Sequence, residues 1–344
     1  MQKVLKIIPW VVLIITLICY SAVLIPPEKF WAAGLLGYGI LPLMLINLIL
    51  FVFLSFLRKK SLVLPLTGII TGILFFNITL QFNFYSPESN QTKPIELLSY
   101  NVGSFDMARY SSPSTIEWIV NDPAEIKCIQ EFYNDSRRPE LNVMERMISK
   151  GFSSHIFLPN QNYQQSGLAI FTRYPVIHKG TLILNEQSAN NCIYVDVQVL
   201  KDTIRIYNVH LASMRIPLSS YINPDNYDGK IKSLIRKLKN GGIRRSHEID
   251  LIIRHTESCD YPFIICGDFN DIPYSYNYLK LRNHFTNSFE ESGSGYGFSF
   301  NRKLFFLRID HHFVSDGIEP IRYWVDRSIN GSDHFPTRGL YQIR

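Results

Sequence analysis

The residues best suited to chemistry follow an apolar, strand-forming run at residues 263–266. The run ends at Gly267, and Asp268 and Asn270 come directly after it. Because alternate side chains of an extended chain point to the same face, these two side chains are predicted to lie side by side. A carboxylate beside an amide can hold a divalent cation or a water molecule and can donate to a phosphate oxygen. The alternative is an ordinary turn, since Asp, Asn and Pro are common turn residues.

Five further places repeat this arrangement, in which an apolar segment ends on a residue that can bind a metal ion or a phosphate. They are Tyr100-Asn101, Gln130-Glu131, Asn208-Val209-His210, Asp310 and Asp333-His334. One strand that ends in a polar residue is commonplace, but six such ends in one domain predict a shared site. The carboxyl edge of a sheet, where sheet-based enzymes usually build their sites, is its predicted position.

Short β-rich runs alternate with amphipathic segments from Ile95 onward. Strands are predicted over residues 95–100, 125–130, 167–172, 193–200, 203–208, 262–266 and 309–314. Lys201-Asp202 joins the fourth and fifth of these strands, which indicates a hairpin. Helices are predicted over residues 114–121 and 141–150. A basic amphipathic helical region over residues 230–256 is expected to break at Gly241-Gly242.

Charge is distributed unevenly along the 344 residues. Residues 1–80 contain six Lys or Arg residues and one acid, whereas the remainder carries 29 basic and 28 acidic residues. The remainder is therefore nearly neutral, which argues against a strongly cationic nucleic-acid domain. Its length of about 260 residues is enough for one large α/β or sandwich domain. The five cysteines show neither a CxxC pair nor a zinc-like spacing, so no disulfide framework is predicted.

Three apolar runs in the first 80 residues are each long enough to cross a bilayer. Transmembrane helices are predicted over about residues 7–25, 32–57 and 62–80, followed by a polar linker over residues 81–93. A cleavable signal peptide fits poorly because two further spans follow the first. Core helices of a globular domain also fit poorly, because the runs are long and the polar breaks between them are short.

Positive charges beside these runs predict the orientation of an integral membrane protein. Lys3 and Lys6 precede the first run, and Arg58-Lys59-Lys60 separates the second from the third. Because positively charged loops stay in the cytoplasm, the N-terminus is predicted to be cytoplasmic. Residues 94–344 are then a periplasmic or extracellular catalytic domain, carried by an inner or plasma membrane. Unpaired cysteines are unusual in such an oxidising space.

Seven ordered motifs resemble those of a known family. In chain order they are LLSYNVGSFD, CIQEFY, SGLAIFTRYP, YNVHLAS, ICGDFNDIP, RIDHHFVS and SDHFP, which run from about Ile95 to Leu340. Each is weak alone, but in this order they resemble the endonuclease/exonuclease/phosphatase superfamily of DNase I-like metal-dependent phosphoesterases. The resemblance implies an α/β fold, a four-layer α/β/β/α sandwich, here preceded by three transmembrane helices. It also implies metal-assisted hydrolysis of a phosphate ester.

The resemblance implies a metal side of the site. Glu131 is expected to be the principal ligand of Mg²⁺ or Mn²⁺, with Asn101 beside it and Asp333 as a further acid close to the metal. Few carboxylates and several waters suit these hard cations, and the scarcity of Cys and His ligands disfavours zinc. Gly103 stands where some relatives carry another acid, so one or two metal positions are both left open.

The resemblance also assigns the groups that move protons and hold the phosphate. Asp268 is expected to orient and deprotonate the attacking water, and Asn270 to hold a phosphoryl oxygen. His334 would contact the scissile phosphate, with Asp310 behind it to fix its tautomer. His210 would protonate or stabilise the leaving oxygen.

The family does not choose the substrate, because its members hydrolyse nucleic acids, sphingomyelin and inositol phosphates. Basic residues between Lys230 and Arg245 favour a nucleic acid, and Arg215 and Asn191 are expected to contact the substrate. The same basic segment suits anionic lipid headgroups or a solvated helix face. Nuclease-type (endonuclease) activity is therefore the first expectation. A sphingomyelinase-like or inositol-phosphatase-like enzyme is the alternative, and a non-catalytic membrane scaffold the third.

Overall fold

The structure, a computed structural model, describes residues 4–83, 93–105, 112–159, 166–184, 190–213, 227–302 and 305–344. The chain divides into two compact units. The first, here called the helical unit, comprises residues 1–80, 214–246 and 272–280. The second, the sandwich unit, comprises residues 81–213, 247–271 and 281–344.

Helices and strands follow one another along the described residues. The α-helices are α1 Val4–Ala22, α2 Ala33–Leu36, α3 Ile40–Phe56, α4 Val63–Thr71, α5 Ile73–Thr79, α6 Ser112–Asn121, α7 Val143–Ser149, α8 Tyr227–Glu257, α9 Tyr276–His284 and α10 Ser288–Ser292. The strands are β1 Gln81–Phe82, β2 Ile95–Asn101, β3 Ile126–Phe132, β4 Ser153–Phe157, β5 Gly167–Thr172, β6 Val176–Leu182, β7 Cys192–Val199, β8 Asp202–His210, β9 Phe263–Asp268, β10 Thr286–Asn287, β11 Ser294–Gly295, β12 Asp310–Val314, β13 Ile318–Val325 and β14 Thr337–Ile343.

The helical unit does not support the three predicted transmembrane helices. Among the described residues, one helix is long and apolar enough to cross a membrane, Ala33–Phe56, in which a short 3₁₀ turn joins α2 to α3. The apolar part of α1, Lys6–Ala22, is shorter than that. Length and composition alone therefore give one candidate span where the hydropathy of the sequence predicts three.

A bend interrupts the third apolar run. The segments Lys60–Thr71 and Ile73–Thr79 are inclined by 52° to each other, so they count as a second span only if the bent pair is taken as one. Gly72 lies at the bend, and a Cβ added there would stand 2.5 Å from Tyr20 Oη. A hydropathy pattern counts apolar residues without recording such bends, which is why the prediction overcounts.

The predicted break in the basic helix is absent. Helix α8 continues through Gly241 and Gly242 from Tyr227 to Glu257. Each interior glycine costs a helix about 1 kcal/mol relative to alanine, which a helix of this length can tolerate.

Two six-stranded mixed sheets form the sandwich unit. Sheet I has the strand order β13-β14-β2-β3-β5-β4, and sheet II has the order β10-β12-β9-β8-β7-β6. Within them β2 pairs with β3 in parallel, and β8 pairs with β9 in parallel, while the other pairs are antiparallel. A separate short ladder joins β1 to β11. The predicted hairpin is confirmed, since β7 and β8 are antiparallel across Lys201.

The two sheets share one apolar core. It contains Leu97, Ile126 and Cys128 from sheet I and Ile206 and Ile264 from sheet II, all of them buried. Burial of such side chains between the sheets contributes roughly 1.5–3 kcal/mol each. Helices α6 and α7 cover the other face of sheet I through a second apolar cluster. The architecture, two mixed sheets packed with helices, is consistent with the predicted DNase I-like α/β fold.

Candidate active site

Sheet II places three titratable side chains at one edge. Strands β8 and β9 end together, with His210 paired to Asp268. Strand β12 begins at the same level, where Asp310 pairs with Asp268 from the other side. The Leu211 amide also donates to the Asp268 carbonyl at 2.9 Å, which fixes the chain that follows His210. The ladder register therefore aligns the three residues in one row.

Sheet I supplies Glu131 through a β-bulge. The register of β3 shifts between Gln130 and Phe132, and Glu131 adopts a left-handed backbone conformation with φ 49°. A bulge re-aims the side chain of the extra residue, and the left-handed conformation costs a non-glycine residue of order 1 kcal/mol or more. A strained residue at a polar strand end is typical of functional sites.

The two sheets meet at Asn101, the last residue of β2. Its Nδ2 donates to Asp268 Oδ2 at 3.0 Å and to Glu131 Oε1 at 3.3 Å. His210 Nε2 lies 3.7 Å from the same Asp268 oxygen and 3.9 Å from the same Glu131 oxygen. The Gly103 amide donates to Asn101 Oδ1 at 3.1 Å, so the amide group presents its nitrogen to the acids. One amide thus holds a carboxylate from each sheet.

His334 faces two carboxylates of sheet II. Its Nδ1 lies 2.9 Å from Asp310 Oδ2, and its Nε2 lies 3.7 Å from Asp268 Oδ2. Burial by itself lowers the pKa of His334, but the charges of Asp310 and Asp268 outweigh it and raise the pKa to about 10. The two carboxylates therefore favour the protonated ring, with Nδ1–H donated to Asp310.

Asp268 is the most enclosed acid of the site. Burial raises its pKa, while the neighbouring His334 and His210 and the hydrogen bond from Asn101 lower it. A carboxylate of raised basicity that is held by donors on two sides is suited to accept a proton from water.

The turn after β9 departs from the extended chain that the sequence predicts. Asn270 has φ 51°, its amide donates to Asp268 Oδ1 at 2.8 Å, and its Nδ2 donates to the Leu211 carbonyl at 3.1 Å. Asp268 and Asn270 therefore do not project side by side from one strand face. Gly267 is required here, because a Cβ at this position would stand 1.9 Å from the Val209 carbonyl oxygen.

Asp333 directly precedes His334, and its charge is among those that raise the pKa of that histidine. Its side chain is partly exposed, accepts from Ser332 Oγ at 3.3 Å and lies 4.0 Å from Arg302 Nε. It does not belong to the group formed by Asp268, Asp310 and His334.

The two predicted substrate contacts are placed differently. Asn191 is buried, its Oδ1 accepts from the Leu184 amide at 2.9 Å, and its carbonyl accepts from the His210 amide at 3.0 Å. These bonds hold the chain that carries His210. Arg215 lies outside the described residues.

Two buried amides beneath the site, Gln130 and Asn208, lie in the sequence motifs but have no predicted role. Gln130 Nε2 donates to Asn208 Oδ1 at 2.6 Å, and Asn208 Nδ2 donates to the carbonyls of Ile129 and Ala169. Gln130 precedes Glu131, and Asn208 lies two residues before His210. The pair therefore ties together the strands of the two sheets that carry these site residues. Its signal in the sequence is an amide residue one or two positions before each of these site residues.

The donor set can accommodate a divalent cation. Among the described residues, Asp268, Asp310 and His334 offer ligand atoms that all lie within 4.8 Å of one another. Because His334 Nδ1 already contacts Asp310 Oδ2 at 2.9 Å, the carboxylates are the better ligands of this group. Glu131 adds a carboxylate whose side chain is 36% exposed. Oxygen ligands beside an open face suit a hard cation that retains several waters.

Solved structures of low sequence identity share the fold. An endonuclease/exonuclease/phosphatase from Bacteroides vulgatus is 14% identical with a TM-score of 0.55, and the match covers 74% of this chain and 100% of that one. A humanized D. rerio TDP2 is 13% identical with a TM-score of 0.54, over 73% and 100% of the two chains. The human Nocturnin catalytic domain with a bound sulfate anion is 15% identical with a TM-score of 0.51, over 73% and 94%.

Family profiles cover both parts of the chain. Residues 2–79 match a domain of unknown function. No curated protein matches the chain. The profile of the Endonuclease/Exonuclease/phosphatase family matches residues 98–334, which include all the residues brought together at the site. The protein therefore belongs to the Endonuclease/Exonuclease/phosphatase family, whose members are phosphoesterase hydrolases.

Proposed function

We propose that the protein is a Mg²⁺-dependent (or Mn²⁺-dependent) phosphodiesterase of nuclease type. The observation that carries the proposal is the convergence of two acids, an amide and a histidine from both sheets. Asn101 and Glu131 come from sheet I, Asp268 and His210 from sheet II, and the contacts among them measure 3.0–3.9 Å. Such a cluster serves both cation binding and proton transfer next to a phosphate.

Glu131 would hold the cation, with Asn101 and Asp268 on the neighbouring side. A bound divalent cation supplies positive charge that stabilises the phosphoryl oxygens and the leaving group. Asn101 keeps the Glu131 and Asp268 carboxylates in place by donating to both. Asp268, whose pKa burial raises, accepts the proton of the attacking water.

The histidines complete the proposed reaction. The imidazolium of His334, oriented by Asp310, stabilises the negative charge that develops on a phosphoryl oxygen. His210 Nε2 is buried and has no hydrogen-bond partner among the described residues, so it is available to a leaving oxygen. Asn270, at the turn after β9, would hold another phosphoryl oxygen with the amide hydrogen that Leu211 does not use.

The test is nicking of supercoiled plasmid by the purified full chain in Mg²⁺. We expect nicking that EDTA abolishes and that His210→Ala lowers by at least about a hundredfold, the size of a lost general acid. His178→Ala is the matched control, because His178 is a half-exposed histidine on β6, the edge strand of sheet II. Equal nicking by wild type and His210→Ala would contradict the proposed role of His210.

A lipid-headgroup phosphodiesterase is the second candidate, and exposed apolar side chains favour it. Along α3, Leu45, Leu48, Ile49 and Phe53 are each about half exposed, and Phe56 is more so. A large apolar face of this kind suits lipid better than water. We propose that Ala33–Phe56 inserts into a membrane, with Arg58-Lys59-Lys60 on the cytoplasmic side. A periplasmic or extracellular catalytic domain, as the sequence predicts, then requires the bent helix pair Lys60–Thr71 and Ile73–Thr79 to cross the membrane as well.

Vesicles test this candidate. Flotation of the full chain with vesicles of phosphatidylcholine and phosphatidylserine, lost on Leu48→Asp/Ile49→Asp, would support insertion. Mg²⁺-dependent release of phosphorylated headgroup without plasmid nicking would favour the lipid enzyme over the nuclease. Protease accessibility in intact cells, read from fragments of the sandwich unit, reports the side of the membrane.

A further inference from the structure

A second cavity lies in the sandwich unit, outside the cluster of acids and histidines. Its volume is about 610 Å³, and residues of α10, of the segment 294–298 and of the edge strand β13 line it, together with Asn83 and Arg327. None of its described lining residues belongs to the predicted catalytic or metal-binding set.

Planar side chains form much of the wall. The rings of Tyr296 and Phe298 are stacked, with centroids 5.1 Å apart and planes inclined by 16°, and Tyr296 is 46% exposed. On β13 the guanidinium of Arg322 lies 4.7 Å from the centroid of the Trp324 ring. Two flat, partly exposed stacks therefore line the same cavity.

The charged side chains that line the cavity are basic. Arg322 and Arg327 line it, and no acid stands among its described lining residues. Beneath the wall, Arg308 places its guanidinium 3.9 Å from the centroid of Phe289 and donates to the Tyr296 carbonyl. Arg308 is almost fully buried behind these two lining residues.

Two short paths join the cavity to His334. The segment that carries Phe298 continues to Phe300, which forms a β-bridge with His334. From the other side, Arg327 donates to the Phe298 carbonyl at 2.8 Å and lies 4.5 Å from the centroid of Phe335, the residue after His334. Phe298 and Arg327 therefore connect the wall of the cavity to the segment that carries His334.

We propose that this cavity binds one nucleotide unit of a single-stranded nucleic acid whose neighbouring phosphate reaches His334. A base stacks on the Tyr296 ring or on the Arg322–Trp324 stack, and Arg322 and Arg327 contact backbone phosphates. Stacking on aromatic and guanidinium planes beside positive charge is how proteins hold single strands without reading their sequence. A lipid headgroup would use the arginines but has no ring for the planar walls. The inference that the neighbouring phosphate is the one cleaved rests on the proposed function. The inference that the cavity binds a nucleotide unit does not.

Binding is measured directly, so cleavage is not needed for the test. Full-length His210→Ala protein is titrated into a fluorescein-labelled single-stranded oligothymidylate, and anisotropy gives the affinity. We expect Trp324→Ala to weaken binding by about tenfold, the size of one lost base stack. Arg322→Gln should weaken it by a similar factor and lower the slope of log affinity against log salt by about one.

Two control variants keep the test specific. Tyr261→Ala removes a part-exposed tyrosine and Arg344→Gln an exposed arginine elsewhere in the sandwich unit, and both should bind like the parent. Thermal unfolding of every variant checks that Trp324→Ala still folds, and Arg322→Gln, at an exposed position, gives the answer if it does not. Unchanged affinity in Arg322→Gln overturns the proposal.

Further outcomes separate this proposal from the proposed function. Loss of oligonucleotide binding in the cavity variants, with no nicking by the wild type, supports the cavity and contradicts the nuclease. Nicking by the wild type, with unchanged affinity in the cavity variants, supports the nuclease and contradicts the proposed nucleotide site. If Arg322→Gln weakens binding only to phosphatidylserine vesicles and not to the oligonucleotide, the nucleotide assignment is overturned in favour of a headgroup.

Discussion

The two sheets contribute unlike halves to the candidate site. Sheet II brings His210, Asp268 and Asp310, whose exposed fractions are 6%, 1% and 3%. Sheet I brings Glu131, whose side chain is 36% exposed. Charges interact strongly where water is excluded and weakly where it is present. The buried half is therefore suited to proton transfer, and the open half to exchange of a cation and its waters.

The residues of the two halves are held in place in different ways. The sheet II residues are adjacent by ladder register, so the fold itself sets their spacing. Glu131 depends instead on a bulge and on the donor from Asn101. A variant on sheet II should therefore change the rate of the reaction, and a variant on sheet I should change the affinity for the cation.

The largest effect is expected from Asp268→Asn. The amide cannot accept the proton of water, so the rate at saturating Mg²⁺ should fall by about 10³-fold or more. Plasmid nicking over a range of Mg²⁺ concentrations measures it, with Asp316→Asn in the turn after β12 as the control. Recovery of the rate at high Mg²⁺ would mean that Asp268 binds the cation, as Glu131 is proposed to do.

A smaller and different effect is expected from Glu131→Gln. Loss of the negative charge should weaken Mg²⁺ binding by about 10- to 100-fold while higher Mg²⁺ restores much of the rate. Calorimetric titration of Mg²⁺ and the Mg²⁺ dependence of nicking both report it. Glu319→Gln, at a surface pair with Arg344, is the matched control. An unrescued loss of rate would mean that the two halves do not differ in role.

The link between the halves can be tested through Asn208. Asn208→Leu removes one of the three acceptors of Gln130 Nε2 and the side-chain donor to the carbonyls of Ile129 and Ala169, so the free energy of unfolding should fall by about 1–3 kcal/mol. Urea unfolding of Asn208→Leu, Gln130→Leu and the double variant measures the coupling. Additive losses would show that the pair does not act as one unit.

The sequence predicts the site better than the way in which its residues are held. Short polar motifs after apolar runs identify Asn101, Glu131, His210 and Asp268, because a strand end in a sheet enzyme is where such groups collect. The bulge at Glu131 and the left-handed turn at Asn270 are invisible in the residue pattern, since either residue type also occurs in regular strand ends. The Gln130–Asn208 pair depends on a contact between distant strands, which no local pattern contains.

For the N-terminal helices, the sequence predicts the type of secondary structure but not the number of membrane spans. Their composition predicts apolar helices, and α1, α3, α4 and α5 are confirmed as helices. How many of them can span a membrane depends on where each helix begins, ends and bends. By hydropathy alone, the residues near Gly72 fit a straight helix as well as a bent one. Helix type is local, whereas helix length and direction are set by packing.

The smallest expected effect comes from Lys127, an ionisable residue that is buried in sheet I. Lys127 on β3 is fully buried, and its Nζ donates to the carbonyls of Ile119 and Asp122. Burial lowers its pKa to about 8, from a model-peptide value near 10.4. Below pH 8 the folded state holds a buried charge. As the pH rises from 8 towards 10.4 the folded state loses the proton before the unfolded state does, so folding becomes more favourable.

Lys127→Met removes this titration. Between pH 8 and 9 the free energy of unfolding of the wild type should rise by about 1 kcal/mol relative to that of the variant. Urea unfolding at the two pH values measures the difference, and groups common to both proteins cancel. Parallel pH dependence in wild type and variant would mean that Lys127 stays protonated in the folded state, held by its carbonyl partners. In that case a buried position in sheet I can hold a positive charge. The exposure of Glu131 would then not be the reason why this sheet is suited to a cation.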